Sequence, residues 1–231
     1  VARDSKFKRV VITSSFAAIG YGHEQLPLFV EKYWSVLNGK ISVPAYYKSK
    51  TLAEKSAWKF WREEGGNLEL AVINPTGIFG PVMSSNFSSS IKIIKNMMNG
   101  NMPGCPQISF GVFDVLDLAD LHIRAMTNSK ANGQRFIGTC DNGPVAMIDI
   151  ANILRTKRPT LSQNVPRKEL PNLLCSCGRL VPASSPWDRC RAWSCEAVDN
   201  GKAKSVLGWV PRSVEDCILD TADSLIEHSI V

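Results

Sequence analysis

Several features are scarce or missing in this sequence of 231 residues. No apolar run approaches the ~20 residues that cross a bilayer as a helix, so no membrane span is expected. No basic helix alternates with aromatics. The net charge of +6 is mild, and its carriers are scattered: Lys6, Lys8 and Arg9 near the start, a second group from Arg155 to Lys168. Nucleic acid is therefore not an expected partner. The opening VARDSKFKR is polar and runs directly into an apolar stretch. That is no secretory leader, and a cytoplasmic location is expected. The 7 cysteines include none of the C-x2-C knuckles of zinc sites. The last absence is of a phosphate cradle. The one near match to G-x-G-x-x-G is Gly20-Tyr21-Gly22, which continues His23-Glu24-Gln25 and lacks the third glycine. With no helix-forming run after it, it reads as a loop.

What is present is ordinary in bulk: 44% hydrophobic and 21% charged residues, the balance of a soluble globular chain long enough for one or two domains. The informative stretch is Ala45 to Trp58, AYYKSKTLAEKSAW. Tyr46 and Lys50 are four residues apart, and Leu52, Ala53 and Ala57 are expected to continue an apolar helical stripe. Positions i and i+4 share one face of a helix. An ammonium beside a phenol favours the phenolate, which makes a proton donor and acceptor usable near neutral pH. Tyr47 competes with Tyr46 for the role but lacks the i to i+4 relation to Lys50. Tyr-x-x-x-Lys alone is common and is as readily a solvated surface.

Its neighbours sharpen the reading. FKRVVITSS has a basic lead-in, an apolar run and hydroxyls where the run stops, at Ser14 and Ser15. Ligands of open parallel sheets sit outside the carboxyl ends of the strands. A second apolar run, Leu68 to Ile73, ends in NPTGIFGP at Asn74 to Pro81, which reads as a breaker-rich loop. Together, TSS at 13–15, YYKSKTLAEKSAW at 46–58 and NPTGIFGP resemble the extended short-chain dehydrogenase/reductase family. The likeness is to its dihydroflavonol-4-reductase-like and 3β-hydroxysteroid-dehydrogenase-like branch, in the NAD-dependent epimerase/dehydratase superfamily.

The resemblance implies an α/β fold: the C-terminal half of a Rossmann-type parallel sheet with a smaller, mostly helical substrate-binding part. Residues 1–82 would be what remains of the dinucleotide-binding domain, its N-terminal GxGxxG half absent. That omission amounts to three to four βα units, roughly 100 residues at ~30 each. Residues 83–231 would be mainly the substrate-binding part, with 108–139 returning to the sheet. The implied activity is hydride transfer between NADP or NAD and a carbonyl or secondary alcohol of a small molecule. Tyr46 would be the proton donor or acceptor. Lys50 would assist it and hold the nicotinamide ribose. Ser15 would hydrogen-bond the reacting oxygen, with Ser14 as the alternative. Pro75 and Ile78 would contact nicotinamide, and Ser90 matches a serine near the pyrophosphate, although helix capping accounts for it equally well. The long Tyr46 helix often pairs between subunits in relatives, which leaves a homodimer open. Two other readings stand beside this one: a nucleotide-sugar epimerase or dehydratase with bound NAD, and a non-catalytic remnant lacking the phosphate cradle.

Along the rest of the chain, Val1 to Lys8 reads as the tail of a helix and Arg9 to Ser14 as a buried parallel strand. The connection from Phe16 to Pro44 is long enough to be functional. The resemblance borders it on the substrate pocket, with His23, Glu31 and Trp34 as contact candidates against simpler structural roles. The helix over Tyr46 to Glu64 stops at Gly65-Gly66. Further helices are expected over Ile91 to Asn99, Leu116 to Thr127, Met147 to Arg155 and Val214 to Glu227, strands over Ile108 to Val115 and Gln134 to Thr139, and a short element over Pro166 to Leu174. Asp117 is expected to cap its helix and His122 to be a packed histidine.

Cys175 to Ala197 differs from its surroundings, with four cysteines spaced C-x-C and C-x4-C and no period. No metal is expected there, and nothing suggests the export that would favour disulfides. Resemblance returns at Lys202, Lys204, Leu207, Gly208, Trp209 and Pro211. Loss and recovery of likeness points to out-of-frame translation between two compensating errors; a real insertion is the alternative.

Overall fold

A computed structural model of the chain describes residues 6–24, 26–171 and 197–231. The expected helix tail before Lys8 falls largely outside the described residues, and the anomalous stretch from Cys175 lies outside them but for its last residue. The chain forms two compact units. The first comprises Val1–Thr76, Leu116–Thr139 and Glu196–Pro211, the second Gly77–Val115, Cys140–Cys195 and Arg212–Val231.

The first unit is built on three parallel strands in the order β1-β2-β7: β1 (Arg9–Thr13), β2 (Glu69–Pro75) and β7 (Gln134–Gly138). Thr13 pairs with Ile73, and Pro75 with Gly138. β2 and β7 are buried, with Val72, Ile73, Phe136 and Ile137 fully so, whereas β1, expected to be a buried strand, is half-buried over Arg9–Ile12 and exposed at Thr13. At the other end of the sheet Arg9 pairs with Glu69, its partner in register, and its guanidinium also donates to the carbonyls of Ala125, Met126 and Asn128. It thereby closes the C-terminal end of helix α3 (Val115–Thr127), whose last carbonyls have no partner within the helix.

Helix α1 (Ala45–Glu64) begins after Pro44, which is pre-set for a helix start, and ends at Gly65, whose N–H returns to Trp61 O at 3.2 Å. Gly66 then takes φ +61°, a left-handed conformation that glycine adopts without steric cost. The buried face of α1 is not the expected apolar stripe. Tyr47, Thr51, Glu54 and Trp58 face inward, while Leu52 is 54% exposed.

Three further expectations change. Asn74 to Pro81 is not simply a loop. β2 continues through Pro75, and Gly77–Phe79 forms β3, parallel to β6 (Val112–Asp114). The single strand expected over Ile108 to Val115 is interrupted at Gly111. Ser109–Phe110 (β5) pairs antiparallel with Val145–Ala146 (β8), while β6 pairs with β3. Asp117 lies in the first turn of α3 rather than capping it, because the helix starts at Val115.

The second unit also holds helices α2 (Ile91–Met98), α4 (Met147–Lys157) and α6 (Val214–Glu227), and the short parallel pair β4 (Cys105–Pro106) and β9 (Glu169–Leu170). Its core is one apolar cluster that includes Phe79, Ile93, Ile94, Met97, Met147 and Ile218. Thr221 and Ser224 on α6 accept from the N–H groups of Gly80 (2.6 Å) and Val82 (2.9 Å), which satisfies backbone donors inside that cluster. Among the described residues no helix is long and apolar enough to cross a membrane. Helix α5 (Gly201–Leu207) belongs to the first unit and ends at Gly208.

Candidate active site

Where β1 ends, the chain turns at once into a short 3-10 turn, Phe16–Ala18. Ser15 caps that turn, its Oγ accepting from Ala17 N at 3.1 Å. Phe16, Ala17 and Ala18 are buried, and the turn packs on α1. Thr51 Oγ1 ties the two together by donating to Ala17 O at 3.3 Å. The sequence brings strand tip and helix together because the turn is small and apolar and α1 presents a hydroxyl to it.

The two adjacent serines have different environments. Ser14 is buried and donates to Glu54 Oε2 at 2.5 Å. Ser15 is half-buried, and its hydroxyl hydrogen is not used by the bond it accepts from Ala17. Tyr46 and Tyr47 divide likewise. Tyr47 is buried and stacked on Tyr21, ring centroids 3.9 Å apart. Tyr46 is 58% exposed on the first turn of α1. Lys50 Nζ lies 5.9 Å from the Tyr46 ring centroid, within cation–π range. Among the described residues Lys50 makes no ion pair.

Glu54, two turns beyond Tyr46, is the centre of a buried polar network. Its Oε2 accepts from Ser14 Oγ (2.5 Å) and Asn74 Nδ2 (2.6 Å); its Oε1 accepts from Arg135 Nε (2.6 Å) and Trp58 Nε1 (3.2 Å). Asn74 Nδ2 also donates to Ser15 O at 3.1 Å. Arg135 is buried, donates to the carbonyls of Glu31 and Tyr33 at 2.7 Å each, and stacks 3.9 Å from the Trp34 ring centroid. Burial holds the Arg135 pKa below the usual arginine value, with Glu54 opposing that shift. The sequence reading missed Glu54, Asn74 and Arg135 as site residues. The available signal was a carboxylate at i+4 from Lys50, on a helix taken to bury only apolar groups.

Three loop candidates have structural partners. His23 Nε2 donates to Ile19 O at 2.9 Å and packs against Phe29 and Tyr33. Glu31 is buried and accepts from Ile137 N at 3.1 Å; burial raises its pKa above the ordinary value, opposed by that bond and by Lys202. Trp34 is the platform for Arg135. His122 Nδ1 lies 2.8 Å from Leu118 O, which can only accept, so Nδ1 carries a proton and Nε2 meets Thr13 Oγ1 at 2.7 Å.

Of the other expected contacts, Pro75 is buried at the end of β2 in the first unit. Ile78 and Ser90 lie in the second unit, where Ser90 Oγ donates to Ile78 O and meets Ser88 Oγ at 2.8 Å. Ser90 makes no side-chain cap to α2. The loop glycine Gly22 has φ +79°, and an added Cβ would sit 2.1 Å from Val36 O; it permits close packing of loop backbone, and no helix follows it before α1 among the described residues. Described residues contain no group of three or more His, Cys, Asp or Glu able to hold a metal. Burial pushes the Cys105 thiol up to about 11, away from nucleophilic use.

No family model matches the chain. Its relatives are nonetheless consistent with one another. The chain is 33% identical over 232 residues to a cinnamoyl-CoA reductase of Medicago truncatula, covering 98% of this chain and 63% of that protein. It is 28% identical over 235 residues to an NADPH-dependent methylglyoxal reductase of Saccharomyces cerevisiae, covering 95% and 64%. Among solved structures, yeast methylglyoxal/isovaleraldehyde reductase complexed with NADPH superposes with a TM-score of 0.75 at 29% identity, covering 97% of this chain and 65% of that one. The chain thus spans less than two thirds of the length of these relatives. A parallel sheet with hydroxyls at a strand tip and Tyr-x-x-x-Lys on the following helix defines a Rossmann-type fold of the short-chain dehydrogenase class. Over nearly its whole length the chain is similar to these reductases, in keeping with the resemblance of its motifs to the extended short-chain dehydrogenase/reductase family.

Proposed function

We propose that this chain carries the proton-transfer residues of an NADPH-dependent reductase acting on a carbonyl of a small molecule, or on the corresponding secondary alcohol in reverse. The observation that carries the reading is the pairing of an exposed Tyr46 with Lys50, one turn apart on α1, while Tyr47 is buried against Tyr21. The residues fit a nicotinamide cofactor: Lys50 has its ammonium uncommitted by ion pairing among the described residues, and Ser15 has a hydroxyl hydrogen left to give. NADPH, when bound, supplies the hydride. Tyr46 then donates its phenolic proton to the oxygen that becomes the alcohol. Lys50 stabilises the phenolate left behind and holds the ribose. Ser15 donates to the same oxygen and aligns it, a donor aimed where negative charge develops. Pro75 and Ile78 beside nicotinamide, and Ser90 towards the pyrophosphate, are part of the same proposal. So is the division of labour along the chain, with residues 1–82 serving chiefly the cofactor and 83–231 mainly the substrate. The relatives' names favour NADPH over NADH. The exposed Leu52 and Phe60 on α1 are the surface on which a homodimer would form.

The test is steady-state reduction of a small aldehyde by the full-length enzyme. Tyr46→Phe is expected to lower kcat by about 10²–10⁴-fold with little change in the Kd for NADPH. Tyr47→Phe is expected to keep most of the activity. The reverse pattern overturns the assignment.

A further inference from the structure

We propose that Glu54 is a positioning residue: its Oε2 sets the placement of Ser15 against Tyr46 and Lys50. The inference rests on the reductase reading and concerns how that site is held. Three observations carry it. Oε2 accepts from Ser14, the residue before Ser15, and from Asn74, which itself donates to the Ser15 carbonyl. Ser15 is thus held from both sides by groups that converge on one oxygen. Glu54 also stands one turn beyond Lys50 and two beyond Tyr46, so the contacts that hold the strand tip also fix the rotation of α1.

The third observation is the orientation of Asn74. Both partners of Nδ2 are acceptors that cannot donate, so the amide must present its NH2 to them. Asn74 Oδ1 is left buried with no hydrogen-bond partner among the described residues. A fully buried amide leaves one oxygen unsatisfied while bridging Glu54 and Ser15, so that bridge fixes its orientation. The two oxygens of Glu54 accordingly divide their work. Oε1, facing Arg135 and Trp58, anchors the carboxylate in the fold. Oε2, facing Ser14 and Asn74, sets the reacting geometry.

The division makes the proposal testable in the full-length enzyme. Glu54→Gln can keep an oxygen towards Arg135 but then turns an NH2 towards Asn74, donor against donor. It is expected to lower kcat by roughly 10–100-fold, the scale of a small misplacement of a catalytic group, with KM and the NADPH Kd within about threefold of wild type. Asn74→Ala, which leaves the Arg135 pair intact, is expected to do the same and serves if Glu54→Gln does not fold. Trp58→Phe removes a donor from Oε1 only and is expected to lower Tm while kcat stays within about twofold. Independently of turnover, amide exchange at Ala17, whose N–H is held by Ser15 Oγ, is expected to quicken at least about tenfold in Asn74→Ala and not in Trp58→Phe. Positioning is overturned if kcat follows Tm across the three variants, or if Asn74→Ala keeps full kcat. Tyr46→Phe in the same assay separates the two ideas. If it retains turnover the reductase reading fails; if it loses turnover while Glu54→Gln and Asn74→Ala keep it, only positioning fails.

Discussion

At the tips of β1 and β2 and beside β7, the first unit buries Ser14, Glu54, Asn74, Arg135 and Glu31, none more than 9% exposed. At the equivalent depth the second unit buries Phe79, Ile93, Ile94, Met97 and Met147. Its charge pairs lie nearer water: Arg158 with Asp223 has side chains 34% and 44% exposed, whereas those of Arg135 and Glu54 are 9% and 0% exposed. Even the buried Asp114 meets a half-buried Arg212, at 2.5 Å. An apolar interior gains from burying area and tolerates small misfits. A buried ion pair gains little net stability, but its geometry is fixed, because each unmet donor or acceptor is costly. The unit that carries the proposed chemistry is the one with the directional interior.

The largest effect expected from this contrast is on Arg135. Arg135→Met leaves Glu54 buried without its cation and is expected to cost about 3–5 kcal/mol, read by urea unfolding of the full-length enzyme. The same kind of change at Arg158, Arg158→Leu, leaves Asp223 in contact with water and is expected to cost far less. Equal losses at the two sites would erase the distinction between the units.

A milder change probes the apolar side. Ile94 is fully buried in the second unit's cluster. Ile94→Val removes one methylene and is expected to cost about 0.5–1.5 kcal/mol while leaving kcat as it was. A large loss of kcat from Ile94→Val at this modest cost would show that the second unit's interior is as exacting as the first's.

The contrast also explains what could be read from the sequence. β1, α1, α2, α4 and α6 were legible within a residue or two, because apolar runs and the Gly65-Gly66 stop mark them. That Tyr46 and Lys50 lie together was legible because they are neighbours on one helix. Glu54 was not: its four partners come from positions 14, 58, 74 and 135, and a carboxylate flanked by Ala53 and Lys55 reads as solvent-facing. Periodicity pointed to the wrong side of α1, since Leu52 is exposed while Thr51 and Glu54 are buried. A stripe rule assumes that the inside is apolar, and on this helix it is not. β3 was hidden for a different reason. In NPTGIFGP proline and glycine look like breakers, yet three residues there suffice for a pairing with β6 that only the fold supplies.

The smallest expected effects are those of pH, and their signs oppose each other in the two units. Burial raises Glu31 above its ordinary carboxylate value in the first unit. With a folded pKa above the unfolded one, the folded chain binds the extra proton between the two values. Stability from this group is therefore greatest below the unfolded value and falls as pH rises through the folded one. In the second unit the hydrogen bond from Arg158 holds Asp223 below its ordinary value. Its contribution is present above the unfolded value and is lost as pH falls through the folded one. Glu31→Gln keeps an oxygen for Ile137 N and removes the titration, so the decline in stability with rising pH should flatten, with no loss at neutral pH. Asp223→Asn should instead flatten the loss on the acid side. Urea midpoints measured from pH 3 upward for the two variants check this, and a shared slope change of one sign would mean that the buried acid of the first unit is no more desolvated than the surface acid of the second.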